Sequence, residues 1–302
     1  MKNIIVAGAN GFIGNKLISK LLIGGGKIIA LDVNFANTHL PENERIIKIE
    51  CNGISPEELV KRIPQLEYDA FYNLAWRGVN GPDKSNAAVQ LDNIKLSIQY
   101  ADLAKALACK RYLCAGTIAE QSVNSLAKLD KTSGGMLYGV AKHCAKLFLE
   151  SYCKNIGLPF VWMQFSNIYG EGNKTGNLIS YTLNEILSDK EATFGPAEQP
   201  YDFIYVDDLI AAIVKLGFCE KVKTFYYIGS GSPKYLKDYL REIGKICHKE
   251  EKICIGVRPD DGIRYDFQMF DNSPLVMDIG NYITVTFEEG VRRTAIWLNN
   301  QS

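Results

Sequence analysis

A tyrosine and a lysine four residues apart, Tyr138 and Lys142, are the side chains best suited to acid–base chemistry in this sequence of 302 residues. On a helix this spacing places both on one face, one turn apart. A free phenol has a pKa of about 10 and is a poor base at neutral pH, but a neighbouring ammonium favours the phenolate. Tyr138 is therefore predicted to exchange a proton with an alcohol or ketone while a hydride moves to or from the same carbon. Because the chain has 16 tyrosines, the spacing alone would arise about once by chance, so the prediction depends on where the pair lies.

A glycine-rich turn near the N-terminus predicts where the hydride carrier binds. Residues 8–14 read GANGFIG, follow the apolar run 2–7 and open a predicted helix over 12–23. Glycines there allow a tight turn and close approach of a pyrophosphate to the helix N-terminus. Asp32 ends the next apolar run, where a carboxylate accepts from an adenosine ribose, and no arginine follows at 33–35, so NAD is favoured over NADP. The residues predicted to bind the dinucleotide are Gly8, Asn10, Gly11, Phe12, Ile13, Gly14 and Asp32.

Strand and helix signals alternate through the first half of the chain and predict the fold class. Parallel strands need crossover connections, and helical crossovers cover both faces of one sheet. The predicted strands cover residues 2–7, 27–32, 46–50, 69–75, 111–115 and 160–165. The predicted helices cover residues 12–23, 83–107 and 138–155, with another opened by Ser55 and Pro56. The sequence therefore predicts an α/β fold with a doubly wound parallel sheet.

The chain beyond Asn167 is less regular, which predicts a second, smaller α/β lobe. Loops rich in glycine and asparagine separate helices predicted at 178–187 and 235–246. Open α/β sheets bind ligands at the carboxyl ends of their strands, and a lobe placed there would hold the substrate. We predict a cofactor domain over residues 1–166 plus about 203–230, and a substrate-binding lobe over 167–202 and 231–302.

Bulk composition excludes several other classes of protein. Formal net charge is +0 and the sequence pI is about 6.8, so no global field would attract nucleic acid or an anionic membrane surface. No run approaches the roughly 18 apolar residues that cross a bilayer, and no signal peptide is recognisable, so a cytoplasmic location is expected. The eight cysteines form no C-x-x-C pair and only three histidines are present, so we expect buried free thiols and no bound metal.

The turn, Asp32 and the tyrosine–lysine pair belong to a longer ordered series of motifs. In chain order these are GANGFIG (8–14), Asp32, NLAW (73–76), CAGT (114–117), YGVAK (138–142), SNIYG (166–170), YDFIYVDDL (201–209), YIGSG (227–231) and RPDD (258–261). The series covers nearly the whole chain and resembles the extended short-chain dehydrogenase/reductase family, in its NAD-dependent epimerase/dehydratase group. The resemblance implies a Rossmann-type cofactor domain, a C-terminal substrate lobe, a sugar-nucleotide substrate and usually a homodimer packed through helices.

The resemblance also implies catalytic and cofactor-binding roles. Thr117 matches the Ser or Thr that ends the fifth strand and hydrogen-bonds the reacting oxygen, beside Tyr138 and Lys142, which also contact the cofactor. Asn52 matches the residue that contacts adenine, where aspartate is usual. Leu74 and Ala75 of the NLAW motif are expected to line the cofactor.

Five further residues match positions expected to contact the substrate. Asn167 and Arg258 match residues that commonly hold a diphosphate, and Asn93 matches a helix asparagine near the active site. Trp76 and Tyr201 complete the predicted set. Asp207 and Asp208 could form a functional carboxylate pair, but the favoured interpretation is that both are acids at a helix N-terminus, where they face the helix dipole.

Departures from the family pattern narrow the expected reaction. Thr117 is followed by Ile118 and Ala119, where 4,6-dehydratases have Asp-Glu and C3/C5 epimerases have cysteine at the second position. Hydride transfer alone remains, as 4-epimerisation or as net reduction or oxidation at one carbon, with C4 favoured. Tyr201 and Gln164 stand where arginines are common, which leaves fewer cations for a diphosphate.

Two other functions stay open at this point. One is an NAD(P)-binding regulatory protein on the same fold, although such proteins typically lack the tyrosine or the lysine. The other is a dehydrogenase of a non-nucleotide alcohol, in keeping with the missing arginines.

Overall fold

A computed structural model describes residues 2–129, 132, 134–173, 176–260 and 262–301, so Asp261 of the RPDD motif lies outside the described residues. The chain divides into two compact units. Unit 1 comprises Met1–Glu120, Gly134–Gln164 and Ile210–Tyr226, and unit 2 comprises Gln121–Ser133, Phe165–Leu209 and Tyr227–Ser302. The assignment of cofactor to the first and substrate to the second stays a prediction.

Strands and helices are numbered in chain order. The strands are β1 Asn3–Ala7, β2 Ile28–Asp32, β3 Ile46–Glu50, β4 Tyr68–Asn73, β5 Tyr112–Thr117, β6 Phe160–Phe165, β7 Asn167–Tyr169, β8 Ala192–Thr193, β9 Pro200–Tyr201, β10 Phe203–Tyr205, β11 Phe225–Ile228, β12 Lys234–Tyr235 and β13 Ile253–Cys254. The helices are α1 Phe12–Leu21, α2 Pro56–Arg62, α3 Ala87–Ala106, α4 Val123–Leu126, α5 Gly134–Asn155, α6 Leu178–Leu187, α7 Val206–Phe218, α8 Leu236–Cys247, α9 Ser273–Ile279 and α10 Phe287–Asn299.

The main sheet has the strand order β11-β6-β5-β4-β1-β2-β3 within the described part of the chain. The pairs from β3 through β5 are parallel, and β11 follows β6 in the same direction through bonds from Trp162 N to Thr224 O and from Ser166 N to Ile228 O. The strand order reverses between β1 and β4, which is the switch point of a doubly wound sheet. Ile4 to Ala7 of β1 are at most 1% exposed, as expected for a strand covered on both faces. The predicted fold class is confirmed.

Unit 2 is organised around a buried aspartate that joins three of the sequence motifs. The Asp202 carboxylate accepts from the Tyr227 hydroxyl at 2.7 Å, from Ser230 N at 2.9 Å and from the Ser230 hydroxyl. The Asp202 carbonyl accepts from the Ser166 hydroxyl and the Asn167 amide. The motifs SNIYG, YDFIYVDDL and YIGSG therefore owe part of their pattern to this network.

The Asp207-Asp208 pair lies in the first turn of α7, as the favoured interpretation required. Asp208 is buried and its carboxylate accepts from Thr284 N at 2.9 Å, the Thr284 hydroxyl at 2.7 Å and Val285 N at 3.1 Å. Its role is to hold the chain before α10 by hydrogen bonds.

Two predicted helix starts are wrong. The helix predicted from residue 83 begins at Ala87, because a 3₁₀ turn over Pro82–Ser85 precedes Asn86, whose extended backbone lets its side chain accept from Ala88 N and Val89 N. The helix predicted from residue 138 begins at Gly134, so Tyr138 lies in its second turn.

The cysteines and the long helices complete the description. All eight cysteines are free thiols, but only Cys109, Cys114 and Cys153 are buried, so the expectation of uniformly buried thiols is wrong for the other five. Cys144 and Cys247 lie on helices and Cys254 on a strand, while Cys51 and Cys219 lie just beyond the ends of β3 and α7. None of the helices in the described ranges combines the length and the apolar character needed to cross a membrane.

The Asn86 cap gives a prediction about stability. Asn86→Ala should lower the free energy of unfolding by about 1 kcal/mol, because two N–H groups of α3 lose their acceptor. Asn86→Asp is the matched control and should keep most of the stability, since aspartate caps equally well. Urea denaturation followed by circular dichroism measures both, and equal midpoints for Asn86→Ala and the parent would contradict the cap.

Candidate active site

The glycine-rich turn lies between β1 and α1, where backbone segments pack with no side chain between them. Gly8 has a φ of +77°, and a Cβ there would lie 2.7 Å from the backbone nitrogen of Ala75. A Cβ on Gly14 would lie 2.1 Å from the Gly8 carbonyl oxygen. Leu74 N donates to Ala7 O at 2.9 Å, which holds the chain after β4 beside the turn. The structure therefore brings Gly8, Gly14, Leu74 and Ala75 together.

Asp32 closes the other side of this turn. Its carboxylate accepts from Asn10 N at 2.7 Å and from Val33 N at 2.8 Å. A carboxylate has about four acceptor positions, so two remain for ribose hydroxyls. Cys51 N donates to Asp32 O at 2.8 Å, which places the exposed Asn52 just beyond the end of β2.

The turn and Asp32 fit NAD. Gly11 caps α1 without a side-chain hydrogen bond, so the N–H groups of Phe12, Ile13 and Gly14 face a position suited to a pyrophosphate. The glycines leave room for that pyrophosphate, and Asp32 would hold the adenosine ribose.

Thr117, Tyr138 and Lys142 form one cluster at the carboxyl end of β5. The Tyr138 and Thr117 side chains are hydrogen-bonded, and the Lys142 ammonium donates to Ala115 O at 2.7 Å. Burial raises the pKa of Tyr138, against the lowering effect of the Thr117 hydrogen bond. The expected ammonium-driven fall of this pKa is thus wrong for the protein alone, because desolvation dominates and Lys142 points at a carbonyl.

The Lys142 ammonium is itself in an unusual setting. The side chain is 4% exposed, and its nitrogen lies 3.8 Å from the centre of the Trp76 ring. Burial lowers the pKa of Lys142 to about 8, while the charges of Cys114 and Glu120 act in the opposite direction. Trp76 also stands edge-on to Tyr138, at 6.2 Å between ring centres, so this predicted substrate residue borders the cluster.

Glu120 is a buried carboxylate in this cluster that sequence reasoning missed. It is 1% exposed and accepts from Thr117 N at 2.6 Å, Trp162 Nε1 at 3.1 Å and Gln164 Nε2 at 3.0 Å. The only signal in the sequence was an acid three residues after Thr117, directly beyond an apolar strand. Gln164 therefore donates to an acid inside unit 1.

The other predicted substrate residues are held in separate places. Asn93 is buried and uses both ends of its amide on the Arg77 backbone, at 2.9 Å and 2.8 Å. In unit 2, Asn167 donates to Asp202 O, and the Tyr201 ring lies against Phe203 and Tyr265. Arg258, also in unit 2, donates to the hydroxyls of Thr193 and Tyr181. Their contact with a substrate stays a prediction.

The fold is that of the doubly wound α/β class, and a family model assigns the chain to a family of enzymes on this fold. The model described as the NAD dependent epimerase/dehydratase family matches residues 4–229. The chain belongs to this family. This confirms the predicted family, its enzymatic character and NAD as the family's cofactor.

Curated relatives match along most of the chain. CDP-abequose synthase of Salmonella muenchen is 23% identical and covers 97% of this chain and 96% of its own. The dTDP-4-dehydro-6-deoxyglucose reductase of Escherichia coli is 22% identical and covers 95% of each chain. The dTDP-6-deoxy-L-talose 4-dehydrogenase (NAD(+)) of Aggregatibacter actinomycetemcomitans is 25% identical and covers 80% of this chain and 88% of its own.

Solved structures share the fold over the whole length. The dTDP-glucose 4,6-dehydratase of Bacillus anthracis, solved with NAD, has a TM-score of 0.80 at 20% identity and covers 100% of this chain and 98% of its own. The UDP-glucose 4-epimerase of Thermotoga maritima has a TM-score of 0.75 at 20% identity and covers 99% of each chain. At such identity the likeness establishes the fold.

The glycine packing gives a prediction about cofactor binding. Gly14→Ala should weaken NAD binding by at least about tenfold, because the added methyl must displace the Gly8 carbonyl from under the pyrophosphate position. Gly24→Ala is the matched control, since a Cβ there meets no atom within 4 Å. Isothermal titration with NAD measures both, and equal affinities for the two variants would contradict the assignment of the turn.

Burial of Lys142 gives a prediction about pH. An unfolded lysine has a pKa of about 10.4, against about 8 for Lys142 in the fold. At a pH between these two values the unfolded state binds more protons than the folded state, so the free energy of unfolding rises with pH. Below pH 8 the buried ammonium lowers the stability of the fold by its full amount. Relative to Lys142→Met, the parent should gain roughly 1 kcal/mol of stability from about pH 7 to about pH 9. Urea denaturation at each pH measures the difference, and a flat or falling difference would contradict a lowered pKa.

Proposed function

We propose that this protein transfers a hydride between NAD and carbon 4 of a nucleoside-diphosphate sugar. The observation that carries the proposal is the buried cluster of Thr117, Tyr138 and Lys142 in the same unit as the NAD-compatible turn. The curated relatives include one sugar-nucleotide reductase and one 4-dehydrogenase, which supports a sugar nucleotide as substrate.

Each member of the cluster has a separate task. The Tyr138 hydroxyl gives its proton to a ketone oxygen during reduction, or takes the proton of an alcohol during oxidation. Thr117 hydrogen-bonds to Tyr138 and offers its hydroxyl to the same substrate oxygen. Lys142 holds a positive charge near Tyr138 and stabilises the phenolate that forms in reduction. NAD, when bound, supplies or accepts the hydride.

Dehydration is not supported by the residues after Thr117. Ile118 is buried, and neither Ile118 nor Ala119 has an acidic side chain. The carboxylate of Glu120 accepts hydrogen bonds from Thr117, Trp162 and Gln164. A carboxylate held in this way is not available to remove a proton from a substrate carbon. Hydride transfer coupled to one proton transfer is the chemistry that remains.

The relatives favour a 4-ketosugar reductase or 4-dehydrogenase acting on a 6-deoxy sugar, and a 4-epimerase is the second candidate. Carbon 4 is named in the reductase and in the 4-dehydrogenase. Asp32, which suits a tightly held NAD, favours the epimerase. The two differ in whether the hydride leaves with the cofactor or returns to the sugar.

Assembly as a homodimer also stays a proposal. Leu91 on α3 and Leu147 and Phe148 on the neighbouring α5 are exposed, and solvent-facing apolar side chains on adjacent helices are typical of an interface. A cytoplasmic location remains an expectation.

The central test is Tyr138→Phe with a panel of sugar nucleotides. The variant should bind NAD as the parent does and lose about 10² to 10⁴ in kcat, because the proton donor is gone. Tyr68→Phe is the matched control, since that hydroxyl only donates to Pro64 O at the amino end of β4.

The panel should contain CDP-, dTDP-, UDP- and GDP-linked hexoses and their 4-keto-6-deoxy forms. NADH consumed in equal amount to product identifies a reductase, and turnover with catalytic NAD identifies an epimerase. Full activity of Tyr138→Phe would contradict the assignment of Tyr138 as the proton donor. If no sugar nucleotide is turned over, a non-nucleotide alcohol becomes the favoured substrate.

A further inference from the structure

The buried carboxylate of Glu120 requires an explanation beyond packing. Its partners Thr117 N, Trp162 Nε1 and Gln164 Nε2 all donate, so the hydrogen bonds suit an ionised carboxylate and leave a protonated one without an acceptor. Burial raises the pKa of Glu120 above its usual value, and the hydrogen bonds from these donors together with the charge of Lys142 offset part of that rise. The arrangement therefore holds a negative charge inside unit 1.

The charge of Glu120 acts on Lys142, whose nitrogen lies 5.9 Å from the centre of the Trp162 ring, and the Trp162 indole donates to Glu120. A buried ammonium is costly unless it is paired, and the groups whose charges act on Lys142 are Cys114 on β5 and Glu120. Burial raises the pKa of Cys114 to about 11, so that thiol is neutral at physiological pH. Tyr138, on the same helix as Lys142, is neutral as well, because its pKa is raised. Glu120 is thus the anion available to Lys142.

We propose that Glu120 is a positioning residue that holds Thr117 in place through its backbone and supplies the counter-charge that keeps Lys142 an ammonium. The proposal rests on the proposed function, in which Thr117 contacts the reacting oxygen and Lys142 stabilises the phenolate of Tyr138. Glu120 does not touch the substrate in this scheme. It acts through its two neighbours.

The surrounding residues are matched to this role. Gly116 precedes Thr117, and a Cβ there would lie 2.2 Å from Trp162 Nε1 and 2.6 Å from Glu120 Oε1, so only glycine lets the indole and the carboxylate meet. Gln164 and Trp162 are neutral donors, which satisfy the carboxylate without cancelling its charge. An arginine at position 164 would pair with Glu120 and leave Lys142 uncompensated.

The kinetic test is Glu120→Gln, assayed for kcat/KM across pH with the substrate found above. Loss of the anion should move the basic limb of the profile to lower pH by about one unit or more, because the charge of Glu120 raises the pKa of Lys142 and of Tyr138 and both deprotonate more easily without it. Asp208→Asn is the matched control, since Asp208 is an equally buried carboxylate with three donors but lies in unit 2. Asp208→Asn should lower the free energy of unfolding and leave the basic limb of the pH profile unchanged. An unmoved limb in Glu120→Gln overturns the proposal.

A second measurement needs neither activity nor a variant of Glu120. Nuclear magnetic resonance of the protein labelled at lysine and glutamate side chains, with Lys142→Arg used for assignment, should show an ionised Glu120 and a charged Lys142 at neutral pH. A protonated Glu120 or a neutral Lys142 overturns the proposal. If the parent turns over no sugar nucleotide, the proposed function fails while this titration still decides the role of Glu120.

Discussion

The ammonium of Lys142 is buried, and a buried charge is unfavourable unless other groups compensate it. Several residues of unit 1 near the carboxyl end of β5 provide that compensation. The nitrogen donates to Ala115 O and lies over the face of Trp76, whose ring attracts a cation. Glu120 supplies the negative charge. Since these groups compensate only part of the desolvation, the pKa of Lys142 falls to about 8, close to the pH at which a proton-transfer site must operate.

The same constraint links the acid–base pair to the sheet. Lys142 reaches the carbonyl of Ala115 on β5, and Tyr138 lies four residues earlier on α5, on the same face of the helix. The glycine turn occupies the carboxyl end of β1, beside β4, at the switch point of the strand order. Ligands of doubly wound folds bind there. The proton-transfer cluster and the cofactor turn therefore lie in one compact unit, supported by neighbouring parallel strands.

The sequence predicted the features that neighbouring residues determine, and it missed those that depend on residues distant in the chain. The GANGFIG turn, Asp32 and the parallel strands follow from short apolar runs and from glycine requirements, which adjacent residues reveal. The start of α3 at Ala87 depended on the side chain of Asn86, which caps the helix. The sequence pattern did not show whether this asparagine lies in a turn or at a helix N-cap. Glu120 was out of reach, because its partners Trp162 and Gln164 lie 42 and 44 residues further along the chain. The raised pKa of Tyr138 was missed for a related reason, since burial is a property of the packed fold.

Two departures from the family pattern that look independent in the sequence have one physical explanation. The missing acid at Ala119 suggests a lost catalytic group, and the glutamine at position 164 suggests a lost cation. In the structure an acid is present one residue later, at Glu120, and its carboxylate is bonded to Gln164. An arginine in place of Gln164 would neutralise that acid, and removing the acid would leave Lys142 unpaired. Glu120 and Gln164 therefore act together, because the glutamine satisfies the carboxylate and leaves its negative charge available to Lys142.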